Sequence, residues 1–103
     1  MTVYLIGQIT IHDRERYNQY DAAFWDVFKQ FDGTILSVDE QPIRLEGAWT
    51  ATRSVLISFP SAEQAQAWFS SAEYQAIVGD RLAGSTTNSI MVMGMEDGQI
   101  NRD

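Results

Sequence analysis

The sequence contains no cysteine, which removes disulfide bonds, thiolate nucleophiles and cysteine metal sites together. That pattern is the one expected of a protein kept in a reducing cytoplasm. Histidine occurs once, at His12, so no His-Glu-x-x-His or related ligand spacing exists, and neither a metal nor a cofactor is expected. Basic residues are scarce: 7 Lys and Arg against 14 Asp and Glu give a formal charge of −7. Such a chain lacks the footprint that phosphate backbones and anionic lipid surfaces require, so nucleic acid and membrane are not expected partners. No apolar run approaches the ~20 residues needed to span a bilayer. Met1 to Ile6 has neither a basic stretch nor a small-residue cleavage site, and reads as a first strand rather than a signal peptide. A nucleophile elbow, a phosphate loop and a dinucleotide fingerprint are all missing.

What is there describes a folded domain. In 103 residues, 45% are hydrophobic and 12% aromatic, enough for one modest core. Val3, Leu5, Ile9 and Ile11 alternate with Tyr4, Ile6, Gln8 and Thr10, the pattern of a strand with an apolar side and a wetter one. Asp13 is placed to cap a helix carrying Tyr17, Tyr20, Phe24, Val27, Phe28 and Phe31 at helical spacing, with Trp25 on its flank. Asp32-Gly33 is expected to stop that helix, with Gly33 as a left-handed cap. Thr34 to Leu45 reads as a weaker strand, held to a sheet edge or interrupted by Pro42. Ser54 to Phe59 is the most convincing strand.

Ser61 and Gln64 have capping-box spacing, and Ser70 with Glu73 repeats it, so the second helix is expected to break and restart near Ser71. Gly84 ends the second piece. Ser85 to Ser89 is a polar approach to a last strand, Ile90 to Met95. Residues 1–96 are therefore expected to form one domain and 97–103 a flexible tail.

The order strand-helix-strand-strand-helix-strand is that of an α+β, ferredoxin-like βαββαβ domain with a four-stranded antiparallel sheet and helices on one face. The other face would leave Tyr4, Ile6, Leu56 and the methionines of the last strand open, so a homodimer packed sheet to sheet, a dimeric α/β-barrel, is expected. The topology gathers His12, Glu46, Trp49, Arg53, Arg81 and the segment 85–88 at one end of the sheet.

Each of those residues has two readings. His12 suits proton transfer, with its ordinary pKa near ~6.5, or is a polar strand end. Glu46 is either an acid-base partner or the mate of Arg53 in an ion pair across a hairpin. Arg53 is then a structural cation or an anion clamp. Arg81 complements the negative pole of its helix or makes a second anion contact. Trp49 lines a pocket or anchors a dimer seam. Tyr4 and Gln8 face the barrel interior, where they would orient a ligand.

Glu46-Gly47-x-Trp49, Arg53, Phe59-Pro60-Ser61, Ala65, Trp68, Ser71-x-Glu73-Tyr74 and Arg81 together resemble the pattern of the DUF1330 domains, from Tyr4 to about Gly94. The chain departs from it with Asp32 in place of a glycine, and with Ala51 and Ala72 in place of prolines, all at turns or helix starts. The resemblance implies a dimeric α+β barrel and no particular activity. Three functional readings follow. The chain binds a small, anionic organic molecule in a pocket at the sheet edge or dimer interface. Alternatively it is a cofactor-independent isomerase, cyclase or oxygenase using His12 and Glu46, with Arg53 holding the substrate. The third reading is a structural or stress-associated module.

Overall fold

A computed structural model describes residues 1–95; the expected tail at 97–103 lies outside the described residues. Four strands and three helices follow in the order β1 (Val3–Ile11), α1 (Arg14–Phe28), β2 (Thr34–Asp39), β3 (Arg53–Phe59), α2 (Ala62–Phe69), α3 (Ala72–Gly84) and β4 (Ser85–Met93). The sheet order is β2-β3-β1-β4, with every neighbouring pair antiparallel. This is the ferredoxin-like α+β fold.

Register separates the two faces. Leu5 lies between Ile57 and Met91, Gly7 between Val55 and Ser89, and Ile9 between Arg53 and Thr87. These face the helices, and Val3, Ile9, Ile57 and Phe59 join Tyr17, Phe28, Trp68 and Tyr74 in the core. The opposite face carries the rows Ser58–Tyr4–Val92, Leu56–Ile6–Ile90 and Ser54–Gln8–Asn88. The methionines of β4 are not on that outer face as expected. Met91 and Met93 pair with Leu5 and Val3, so the odd positions turn them toward the helices, and Ile90 and Val92 lie outside.

Caps set the helix boundaries. Asp13 accepts from Arg16 N at 3.2 Å and starts α1; Ser61 accepts from Gln64 N at 3.2 Å and starts α2. The restart is capped by Ser71 rather than Ser70: Ser71 Oγ accepts from Tyr74 N at 3.0 Å and donates to Trp68 O at 2.8 Å. One hydroxyl thus closes α2 and opens α3, while Ser70 is the C-cap of α2.

Three expected boundaries and one expected cap differ. α1 ends at Phe28, because Gln30 N and Phe31 N bond Val27 O and Phe28 O and tighten the chain into turns. Gly33 is not a left-handed cap; Gly47 is the glycine with positive φ, at 74° in the exposed loop 40–52. Gly33 is demanded by space instead, since a Cβ there would lie 2.6 Å from Phe59 Cζ and would strike the Phe28 ring. β2 stops at Asp39, whose carboxylate accepts from Gln41 N at 2.8 Å and turns the backbone out of the ladder. β4 begins at Ser85, directly after α3, because Ile11 to Gly7 of β1 pair with Ser85 to Ser89. It is an edge strand, with Ile90 60% exposed in the single chain.

Candidate functional site

Helices α1 and α3 pack side by side over the sheet without filling the space beneath them. The gap is a half-open cavity of about 160 Å³, walled by Leu5, Ile9, Phe24, Val55, Ile57 and Trp68 among others. Gly7 is one reason it exists. Strand β1 supplies apolar side chains at Leu5 and Ile9, and between them Gly7 contributes none, so the sheet is hollowed at its centre. The buried lining residues Tyr17, Tyr20, Trp68, Tyr74 and Arg81 mark the floor; the exposed ones, Asp21, Ile35, Val38 and Phe69, mark the mouth.

Two guanidiniums reach this apolar space, and their circumstances differ. Arg53, the first residue of β3, sits opposite Ile9 and points toward α1. Its Nη1 donates to Glu40 Oε2 at 2.7 Å and its Nη2 to Asp21 Oδ1 at 3.0 Å, while its Cζ lies 5.3 Å from the Tyr17 ring centre. Arg14 completes the cluster, donating to both Glu40 oxygens at 3.1 and 3.2 Å. Arg14, and then Arg53, hold the Glu40 carboxyl below its ordinary value of 4.5. The cluster ties α1, the end of β2 and the start of β3 together at the mouth.

Arg81, in the last turn of α3, is only 9% exposed. Among the described residues no carboxylate lies within 4.0 Å of it. Its Cζ lies 5.8 Å from the Tyr20 ring centre, and its Nε is buried with no hydrogen-bond partner. The neighbouring Asp80 is already engaged by Arg16 Nε at 2.8 Å. A buried cation without a counter-charge is costly, and such arrangements concentrate where a ligand completes them.

The remaining polar atoms are also donors. Trp68 Nε1 is buried and unpartnered, as is Arg53 Nε. The Tyr20 and Tyr74 hydroxyls bond each other at 2.8 Å; whichever donates, the other keeps a free O–H. Burial pushes the Tyr20 hydroxyl far above its ordinary pKa and Tyr17 up to about 12, the latter opposed by Arg53. Both stay protonated at neutral pH and remain donors.

The structure thus brings together two of the residues singled out in the sequence, Arg53 and Arg81. His12 is held at the same end, its N–H and that of Asp13 bonding Gly84 O at 3.0 and 3.1 Å, yet it is exposed and does not line the cavity. Glu46 and Trp49 lie in the exposed loop 40–52, and the partners of Arg53 are Glu40 and Asp21 rather than Glu46. Loop 40–52 turns back before β3, with Arg44 Nη1 bonding Gly47 O at 3.1 Å, so nearness in sequence does not bring Glu46 to Arg53. Tyr4 and Gln8 lie on the outer face and take no part in this cavity. From the sequence Tyr20 reads only as part of an apolar stripe, and Trp68 and Tyr74 only as parts of a family pattern; the signal for more is polar tips on α1, α2 and α3 that converge on one space. Among the described residues no three His, Asp or Glu side chains are grouped to hold a metal ion, and no helix is long and apolar enough to cross a membrane.

The fold and its inner cavity define a ferredoxin-like α+β protein, and comparison with solved structures agrees. An RPA0582 protein of unknown function from Rhodopseudomonas palustris superposes with a TM-score of 0.78 at 14% identity, over 92% of this chain and 83% of that one. SnoaB, a cofactor-independent oxygenase from Streptomyces nogalater, gives 0.66 at 11% identity over 95% and 97%. A dimeric ferredoxin-like protein of unknown function from Thermobifida fusca gives 0.62 at 9% identity over 88% and 89%. At these identities the likeness is one of fold. Residues 2–95 match the domain of unknown function DUF1330, and the chain belongs to that family. Comparison with curated protein sequences finds no match.

Proposed function

We propose that this chain binds a small organic molecule in the cavity between its helices and its sheet, as one half of a homodimer closed across the sheet's outer face. The observation that carries the binding reading is the cavity: half-open, apolar in its walls, and supplied with two guanidiniums. Ligand sites commonly combine an apolar body with a few convergent polar groups. The dimer is supported by the apolar row Leu56–Ile6–Ile90, which a single chain leaves uncovered. The dimeric Thermobifida fusca neighbour adds analogy of fold. In that dimer Tyr4 and Gln8 would face the seam.

Protein purified from cells and examined by mass spectrometry under native conditions tests the first part. A thermal-shift screen of small aromatic compounds follows. No co-purifying molecule and no stabilising compound would defeat the binding reading. Light scattering tests the second part, and a monomer at micromolar concentration would remove it.

A second reading is favoured by the same buried donors. Set beside the half-open cavity, they would stabilise an enolate or other oxyanion, the task of a cofactor-independent isomerase, cyclase or oxygenase. The Streptomyces nogalater oxygenase shares the fold, which raises this reading only by analogy. Acid-base work would fall to His12 and Glu46, which line no part of their own chain's cavity and would have to serve one across the seam. Unchanged turnover in His12→Ala and Glu46→Gln would remove both from the reaction.

A further inference from the structure

We propose that the ligand is a monoanionic, single-ring aromatic acid, with its charged oxygens held by Arg81 and its ring in the apolar part of the cavity. This rests on the binding reading above and narrows it to a chemical class. Three features of the cavity argue for it.

The first is the kind of hydrogen-bonding capacity left over. The buried side-chain polar atoms without a partner among the described residues are Arg53 Nε, Trp68 Nε1 and Arg81 Nε. All three are N–H donors, and all three residues line the one cavity. The Tyr20–Tyr74 pair adds a free O–H. Native interiors leave few buried polar groups unpaired, so three of one type on residues that line one space form a pattern. What that space lacks is acceptors. A ligand whose polar group is an ammonium offers these donors no acceptor, whereas a carboxylate, phenolate or enolate supplies several and the matching charge.

The second is charge. At the cavity and its mouth there are three guanidiniums, Arg14, Arg53 and Arg81, and two carboxylates, Asp21 and Glu40. Both carboxylates are taken by Arg14 and Arg53. Among the described residues one positive charge remains, on Arg81, in a protein whose overall charge is −7. A neutral ligand would leave it uncompensated and a dianion would over-compensate it; a monoanion matches it. The planar fork of a guanidinium suits a carboxylate in particular.

The third is size and wall chemistry. A cavity of about 160 Å³ is that of one six-membered ring, since an apolar cavity of roughly 150 Å³ accepts one benzene. Phe24, Trp68 and Phe69 border it, and Trp68 and Tyr74 meet with ring centres 4.4 Å apart. An aromatic ring has edge and face complements here that an alkyl chain lacks.

The test titrates the full-length protein with benzoate, benzamide, benzylamine and toluene by calorimetry. In parallel, the indole Nε1–H signals are followed by two-dimensional NMR. Benzoate is expected to bind about tenfold or more tighter than benzamide, as a charge-assisted pair requires, and benzylamine not at all. The Trp68 Nε1–H signal should move on adding benzoate. Arg81→Met should erase the preference for benzoate over benzamide while leaving toluene binding within about threefold. Because the NMR and the ligand series use the unaltered protein, the assignment is tested even if that variant fails to fold. Benzamide or toluene binding as tightly as benzoate would overturn the anion assignment and leave the cavity reading standing. Binding of none of the four up to about 10 mM would overturn both.

Discussion

Replacing Arg81 with methionine should make the ligand-free protein more stable. Methionine keeps the length of the aliphatic stem and its packing against α1, and removes a charge that is 9% exposed and has no carboxylate within 4.0 Å among the described residues. Burying an ion without a partner costs several kcal/mol even after relaxation. Two terms reduce that figure here. The cavity is half open, so water reaches part of the guanidinium, and the charge lies 5.8 Å from the Tyr20 ring centre, a contact worth about 1 kcal/mol. The expected net gain is about 1–2 kcal/mol, which in a domain of this size raises the melting temperature by roughly 5–10 °C.

Arg53→Met is the internal control. It removes the same group from the same cavity, but leaves Asp21, bonded at 3.0 Å, without its partner and takes from Glu40, bonded at 2.7 Å, one of its two guanidiniums, Arg14 remaining. It should destabilise by about 1–3 kcal/mol. Urea unfolding at pH 7 with equal slopes for all three proteins gives both numbers. If Arg81→Met were destabilising by more than about 1 kcal/mol, Arg81 would be a satisfied structural cation rather than one kept for a ligand. A site that gains stability when its charge is deleted is one held ready for something else.

Other expectations follow from single contacts. Gly7→Val places a side chain in the hollow of β1, where a Cβ meets only Val55 Cβ at 3.8 Å, so folding should persist while benzoate and toluene binding are both lost; calorimetry and circular dichroism separate the two effects. Gly33→Ala forces a methyl between the Phe28 and Phe59 rings and should destabilise by about 1–3 kcal/mol, read as a lower urea midpoint. Glu40 is held below 4.5 in the folded state, so its pairing stabilises the protein above that pH. The contribution disappears as pH falls through the lowered value, and Glu40→Gln should flatten that acid limb of a stability-versus-pH curve. Tyr17 is raised from 10.0 to about 12, so stability should start to fall as pH passes 10 and continue to fall through 12; Tyr17→Phe should weaken that alkaline loss in the same assay.

Much of the fold was legible because its signals are local. The alternation of Val3 to Ile11 names a strand and its two faces without reference to any partner. Asp13 and Ser61 announce helix starts through a hydroxyl or carboxylate two or three residues from the N–H it accepts from. The ends of α1 and β2 are set by local bonds that hydropathy patterning does not mark, whereas other features are decided by something distant in sequence. Gly33 is fixed by the meeting of Phe28 with Phe59, and the start of β4 by the length of β1. The facing of Met91 and Met93 depends on their register with Leu5 and Val3. None of these is visible in a window of ten residues.

The site shows the same division more sharply. Glu46 and Arg53 looked like partners because seven positions separate them, while Asp21 and Glu40, which take Arg53, were unremarkable acids on a helix and at a strand end. Arg81 was noticed, but helix polarity accounts for a basic residue in the last turn of α3 without any cavity. What distinguishes Arg81 from Arg53 is a missing neighbour, and missing neighbours leave no mark on a sequence. The stripes that carry Tyr20 and Trp68 are spaced for a core, and a core they form. Their polar tips acquire meaning only where Gly7 withholds a side chain and leaves a cavity beside them. A helical stripe ending in donors, set over a strand interrupted by glycine, is therefore a pattern worth weighing as a site before it is filed as packing.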